Sequence, residues 1–219
     1  MASSSMEYAS LPLSLDYQSV IGDTANATSY TFGSQSFGSV IAGGNTRYIL
    51  ACILGAANAA AGEVSTCTIG GNSATRIATT GSVGRPIAIF ALNNNALTSG
   101  VVAATFEQTQ VHAASAVFQL VNPASTTPTD SRTASVSATS VNTTLTIPSG
   151  GVGIALSSPN VDSGTLSWTN ATEAFELNVD GGSNTYVGGA KRTTAGLVTI
   201  TVTQVQSGNV IQIFVAAWS

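Results

Sequence analysis

Short runs of β-branched and aromatic residues recur along the whole chain, each closed by Gly, Asn, Ser or Pro, and this punctuation limits what the chain can fold into. Residues 30–33, 47–55, 64–71, 86–92 and 101–106 carry the pattern in the first half. Residues 113–120, 143–147, 152–156, 164–168, 174–179, 196–202 and 210–218 carry it in the second. Many short strands with turn residues between them predict an all-β, antiparallel sandwich or barrel. No window sustains a 3.6-residue apolar period, so no helical layer is expected. The last run, 210–218, is apolar on both faces, which predicts a central strand covered from both sides with Trp218 pinning the C-terminus. Two stretches read as hairpins, 144–156 about a turn at 148–151 and 199–214 about a turn at 207–209. No composition break divides residues 20–219, which are expected to form one sandwich domain. The segment around residue 128 then reads as a long crossover loop.

Residues 1–19 are expected to behave differently, as an N-terminal arm. Leu11-Pro-Leu-Ser-Leu alternates but contains a proline, which removes a ladder donor and suits an edge or an extended arm. Such an arm either docks on the body or adds a strand to a neighbour's sheet. Leu11, Leu13, Leu15 and Tyr17 are its expected contact residues.

Charge is scarce. Six Lys and Arg and ten Asp and Glu make 7% of the chain, against roughly 25% in an ordinary soluble domain. An apolar content of 43% is ample for a core. The five arginines are scattered, and with a net charge of −4 there is no basic stripe for phosphates, so no nucleic-acid partner is expected. No apolar run approaches the ~20 residues of a membrane-crossing helix. The first residues lack the basic start and apolar core of a secretory signal. A surface built from hydroxyls and amides has little charge to desolvate and tolerates close neighbours, which predicts assembly.

Residues for chemistry are few. A Ser-His-Asp triad would need His112, the only imidazole, and no serine lies in a nucleophile-elbow pattern. Glu173 and Glu176, three apart, would point to opposite faces of a strand and share a face only on a helix, which this segment does not form; Glu63 and Glu107 have only their carboxyl groups to recommend them. Asn178, Asp180 and Asn184 offer oxygens on a Gly-rich turn, but their spacing misses a calcium loop and a plain turn is the simpler reading. Cys52 and Cys67 sit in strand-like apolar surroundings and read as reduced core residues. The glycine pairs at 43–44, 70–71, 150–151, 181–182 and 188–189 read as strand turns. No cofactor or metal is expected, and no enzyme. Trp168, Tyr186 and Tyr48 are the candidate aromatics for a sugar platform, although Trp168 alternates with Leu166 and both should face the core.

Several segments together resemble one family. They are Arg47-Tyr-Ile-Leu-Ala-Cys-Ile-Leu-Gly, Cys67-Thr-Ile-Gly-Gly-Asn-Ser-Ala-Thr, Thr144-Leu-Thr-Ile-Pro-Ser-Gly-Gly-Val-Gly-Ile-Ala-Leu, Gly164-Thr-Leu-Ser-Trp-Thr-Asn-Ala-Thr-Glu and the terminal Ala216-Ala-Trp. In this order, over most of residues 20–219, they are similar to the jelly-roll β-sandwich virion proteins of tailed bacteriophages. The resemblance implies a jelly-roll-like fold and a structural role in a virion, with no catalytic residue. A capsid decoration or cement protein is the reading it favours, holding the shell through the arm and neighbour contacts. Its partners would be the major capsid protein or other virion proteins, and it would be a homo-oligomer, a trimer by preference. The alternative is a tail or fibre module that binds host glycans through Trp168 or Tyr186. A fibre shaft would show a repeat, and none is visible in the sequence.

Overall fold

The computed structural model describes residues 11–41, 43–56, 62–80, 85–158, 164–180, 186–205 and 210–219. Among them every regular element is a strand, and every pairing is antiparallel. The strands form two sandwich-like domains where one was expected.

The first domain holds β1 (Ser14–Asp23), β2 (Ala27–Ser36), β3 (Arg47–Ala56), β4 (Val64–Ile69), a short β5 (Asn72–Ser73), β6 (Thr75–Thr79), β7 (Ile87–Asn93), β8 (Ser99–Gln110) and β9 (His112–Val121). Its sheets have the orders β1-β9-β3-β7-β6 and β2-β8-β4-β5. The second holds β10 (Asp130–Ser137), β11 (Ser140–Ile147), β12 (Val152–Ser157), β13 (Leu166–Thr169), β14 (Thr172–Asn178), β15 (Tyr186–Arg192), β16 (Gly196–Gln204) and β17 (Val210–Trp218). Its sheets run β10-β17-β12-β15-β14 and β11-β16-β13.

These orders repeat. Replacing β1, β2, β3 and β4 by β10, β11, β12 and β13, and β6, β7, β8 and β9 by β14, β15, β16 and β17, turns the first pair of sheets into the second; only β5 lacks a counterpart. The segment around residue 128 is therefore the connection between two like units, not a crossover loop within one.

Three apolar clusters show how the sheets stack. Tyr30, Phe32, Ile53, Phe90 and Phe106 fill the first sandwich, and Leu145, Ile147, Ile200, Ile213 and Val215 the second. The third cluster lies between the domains. It joins Leu50, Leu54, Ile89, Phe118 and Leu120 to Val152, Ile154, Leu156, Phe214 and Trp218. The five-stranded sheet of each domain is thus an inner layer, covered on both faces. This explains why β3, β9, β12 and β17 are buried along almost their whole length and mostly apolar: alternation is needed only where one face meets water. The central position expected for the last strand is found, with β17 between β10 and β12, and Trp218 is fully buried with its indole N–H donating to the Thr126 carbonyl at 2.8 Å.

Two local expectations change. The stretches read as hairpins join strands of different sheets: β11 and β16 belong to the outer sheet of the second domain, β12 and β17 to its inner sheet. The turn at 207–209 lies outside the described residues. The glycine pair 188–189 lies inside β15 rather than in a turn. A Cβ on Gly189 would stand 2.3 Å from the Phe175 ring, and one on Gly188 2.8 Å from Leu166, so β15 is bare where both neighbours lie flat on it. The pairs at 43–44, 70–71 and 150–151 do lie at turns, with Gly150 in the left-handed region at φ 70°, while 181–182 is outside the described residues.

Candidate functional site

The four residues expected to make contacts from an arm do not act as one. The proposed boundary at residue 19 cuts through β1, which pairs with β9 along Ser14–Asp23 as the edge of the inner sheet. Leu15 is buried in the interdomain cluster. Tyr17 stacks on Phe175 at 5.5 Å and meets Phe118 edge-on at 5.6 Å, which holds its phenol above its ordinary pKa through burial. Leu13 packs partly against the same core, and Leu11 alone is exposed, at 44%. The proline at 12 is compatible with this because it precedes the first paired residue. Residues 1–10 lie outside the described residues.

The remaining candidates are distributed over distant corners. His112 opens β9, largely buried, with Nε2 3.8 Å from an Asp180 carboxylate oxygen and Nδ1 buried without a partner among the described residues. Glu63 and Glu107 do meet at the end of the first outer sheet, but both carboxylates are engaged. Glu107 accepts from the Glu63 N–H at 3.2 Å, and Glu63 pairs with Arg76 at 2.6 Å. Asn178 ends β14 opposite Tyr186, Asp180 turns back to His112, and Asn184 is outside the described residues. The described residues contain no group of three His, Cys, Asp or Glu able to hold a metal. Cys52 and Cys67 are free thiols in the core, and burial pushes Cys67 up to about 12 and Cys52 higher still, so neither is a nucleophile in the folded protein.

Charge concentrates at one corner of the second domain, where β13 turns through Asn170 and Ala171 into β14 and both run beside the end of β15. Glu173, Glu176, Lys191 and Arg192 all lie here, and Asp16 of the first domain reaches Lys191 at 3.5 Å. A register shift between Glu173 and Phe175 builds the corner. Glu173 stands opposite Ala190 and Glu176 opposite Gly188, two residues apart on the partner strand, so the bulge turns both carboxylates to one face. Regular alternation had placed them on opposite faces. Glu176 accepts a hydrogen bond from the Leu166 N–H at 2.5 Å. Burial raises its pKa, the Leu166 N–H pulls it down in part, and the Glu173 charge adds to the rise.

Trp168 belongs to the same corner. It is half-buried against the core of the second sandwich, lies over the bare Gly188, and its indole N–H is buried without an acceptor among the described residues. Its inward orientation agrees with its alternation with Leu166. Tyr186 is in β15, and its side chain is outside what is described. Asn170 is held at φ 63°, donating from Nδ2 to the Thr199 carbonyl at 2.9 Å and accepting at its own carbonyl from Arg192 Nη1 at 2.6 Å. Between the Asn170 turn and the residues that follow β15 lies a groove of about 390 Å³, lined by residues 170–172 and 191–194. Sequence reading missed this groove because its lining residues come from two segments that only the β14–β15 pairing brings together.

No protein-family model matches the chain, and no characterised protein matches it in sequence. A solved structure of a conserved protein of unknown function, PA5104 from Pseudomonas aeruginosa PAO1, aligns over 94% of this chain and 97% of its own. The identity is 12% and the TM-score 0.30, too low to establish a shared fold.

The raised Glu176 carboxyl makes a prediction. The folded chain holds this proton more tightly than the unfolded chain does, so stability falls as pH rises from the ordinary carboxyl value of 4.5 through the raised one. Glu176→Gln keeps a carbonyl acceptor for the Leu166 N–H and removes the charge. The variant is expected to melt higher than the parent at pH 7 and to converge with it near pH 4. Parallel thermal melts across that range check it, and identical pH profiles would count against the assignment.

Proposed function

We propose that this protein is a structural component of a larger particle, a two-domain β building block that meets its neighbours through outer faces made mainly of hydroxyls and amides. The observation that carries this reading is the makeup of the outer sheets. On the second domain, Ser140 stands opposite Thr203, Asn142 opposite Thr201, and Thr144 opposite Thr199. Ser167 and Thr169 extend the same face from β13. On the first domain, Ser29 and Thr66 flank Thr105, and Thr31 and Thr68 flank Ala103. The second array contains no charge, and on the first the charges of Glu63, Arg76 and Glu107 stand together at one end. Hydroxyl ladders of this kind keep a sheet soluble yet cost little to desolvate, because no ion has to leave water.

The strand orders support a jelly-roll reading of each domain, with successive strands crossing between an inner and an outer sheet. The resemblance to virion proteins of tailed phages supplies the setting: a decoration protein on a capsid, in contact with the major capsid protein and with its own copies. With Leu15 and Tyr17 inside the fold, the attachment surface moves from the arm to the outer sheets.

A charge placed in the ladder tests this. Thr201→Lys, at the centre of the second outer sheet, should leave the fold within about ±0.5 kcal/mol of the parent. It should reduce co-sedimentation with empty tailed-phage capsids, and self-association in sedimentation equilibrium, by tenfold or more. A parent chain that stays monomeric and binds no capsid at any concentration tried would sink the reading.

A further inference from the structure

We infer that the groove between the Asn170 turn and the end of β15 is a binding site for a neutral saccharide. The inference does not rest on the assembly reading. Its volume, about 390 Å³, falls in the range of small-molecule sites. Its lining mixes polar and apolar atoms in nearly equal share, with Ala171, the threonine methyls and the Lys191 and Arg192 stems supplying the apolar part. The remaining groups are hydroxyls of Thr172, Thr193 and Thr194, the Asn170 amide, and the Lys191 and Arg192 cations. Hydroxyls and amides both donate and accept, as sugar hydroxyls do, and the two cations add donors.

Charge argues for a neutral ligand over an anion. Lys191 is already 3.5 Å from Asp16, and Glu173 adjoins Thr172 with Glu176 on the same face. Three carboxylates around two cations leave no positive field to concentrate a phosphate or carboxylate. A polyol needs no such field. It needs fixed donors and acceptors, and the corner provides them. Asn170 is locked on both sides, through its Nδ2 bond to Thr199 and through Arg192 donating to its carbonyl, so little ordering remains to be done on binding.

The test is an amide NMR titration of the full chain with glucose, galactose, mannose and N-acetylglucosamine, with glucuronate and inorganic phosphate as anionic probes. The expected result is that at least one neutral sugar shifts the amides of residues 170–172 and 191–194 with a Kd of about 1–10 mM. Thr193→Val and Lys191→Met, both at the rim, should each weaken that sugar about fivefold, roughly one kcal/mol, while the thermal midpoint holds. The inference is overturned if no neutral sugar moves these amides at roughly 50 mM. It is equally overturned if only glucuronate and phosphate do, which would mark an anion site, or if the shifts map elsewhere and both variants bind like the parent.

Discussion

Trp218→Ala is expected to destabilise the protein by about 3–5 kcal/mol and to weaken both domains together. Trp218 is the largest fully buried side chain, and it lies in the cluster between the two inner sheets rather than within either sandwich. Alanine would leave a cavity lined by residues of both domains. It would also orphan the Thr126 carbonyl, which accepts the indole N–H in the connection between them. An interface of this kind couples the domains, since neither inner sheet can expose its second apolar face without loss. Leu50, Leu54 and Phe118 on one side and Ile154, Leu156 and Phe214 on the other would each forfeit roughly 1.5–3 kcal/mol if left in water. Urea unfolding followed by tryptophan fluorescence, from Trp168 and Trp218 in the parent and Trp168 alone in the variant, and by amide exchange in β3, which reports the first domain, should give coincident transitions for parent and variant. Two separated transitions, with β3 unmoved by the substitution, would show that the domains are independent.

Much of this architecture was legible in the sequence, and the parts that were not have physical causes. Strand existence follows from apolar runs and turn residues, and the burial of β17 on both faces follows from apolar residues at both phases of its alternation. Sheet membership was hidden. The 148–151 turn joins β11 to β12 with the spacing of a hairpin, yet the two strands lie in different sheets, because a short connection can cross a sandwich as well as close a ribbon. The duplication was hidden for a related reason. Strand order repeats between the halves while the residues do not, since a buried strand asks only for apolar bulk and many sequences supply it. The bulge at Ala174 is one extra residue with no signature of its own, and it reverses the facing of the two glutamates. Tyr17 and Leu15 were misplaced for the opposite reason. The proline at 12 suits an edge strand as well as an arm, and the edge is what forms, with pairing beginning at Ser14.

Arg47→Met is expected to cost about 3–5 kcal/mol, comparable to breaking a buried ion pair, although no carboxylate is involved. The Arg47 side chain is fully buried at the start of β3. Its Nη1 donates to the carbonyls of Asn94 at 3.1 Å and Leu97 at 2.8 Å. Its Nη2 donates to the carbonyls of Phe37 and, at 3.3 Å, Gly38. Four backbone acceptors from two loops thus converge on one guanidinium, and burial lowers its pKa from the usual arginine value. Methionine fills most of the volume but leaves those carbonyls dry and unpaired, at about 1–3 kcal/mol for each that water cannot reach. Lysine should recover only part of the loss, because a single ammonium cannot span both loops in the way the planar fork does. The damage should be local before it is global. Hydrogen exchange is expected to accelerate at the Phe37 and Leu97 amides, whose own bonds to Thr98 and Asn94 depend on the same loops, before it changes in β17. A variant that loses less than 1 kcal/mol, or a lysine that matches the parent, would mean that water reaches these carbonyls and that Arg47 packs rather than bonds the loops.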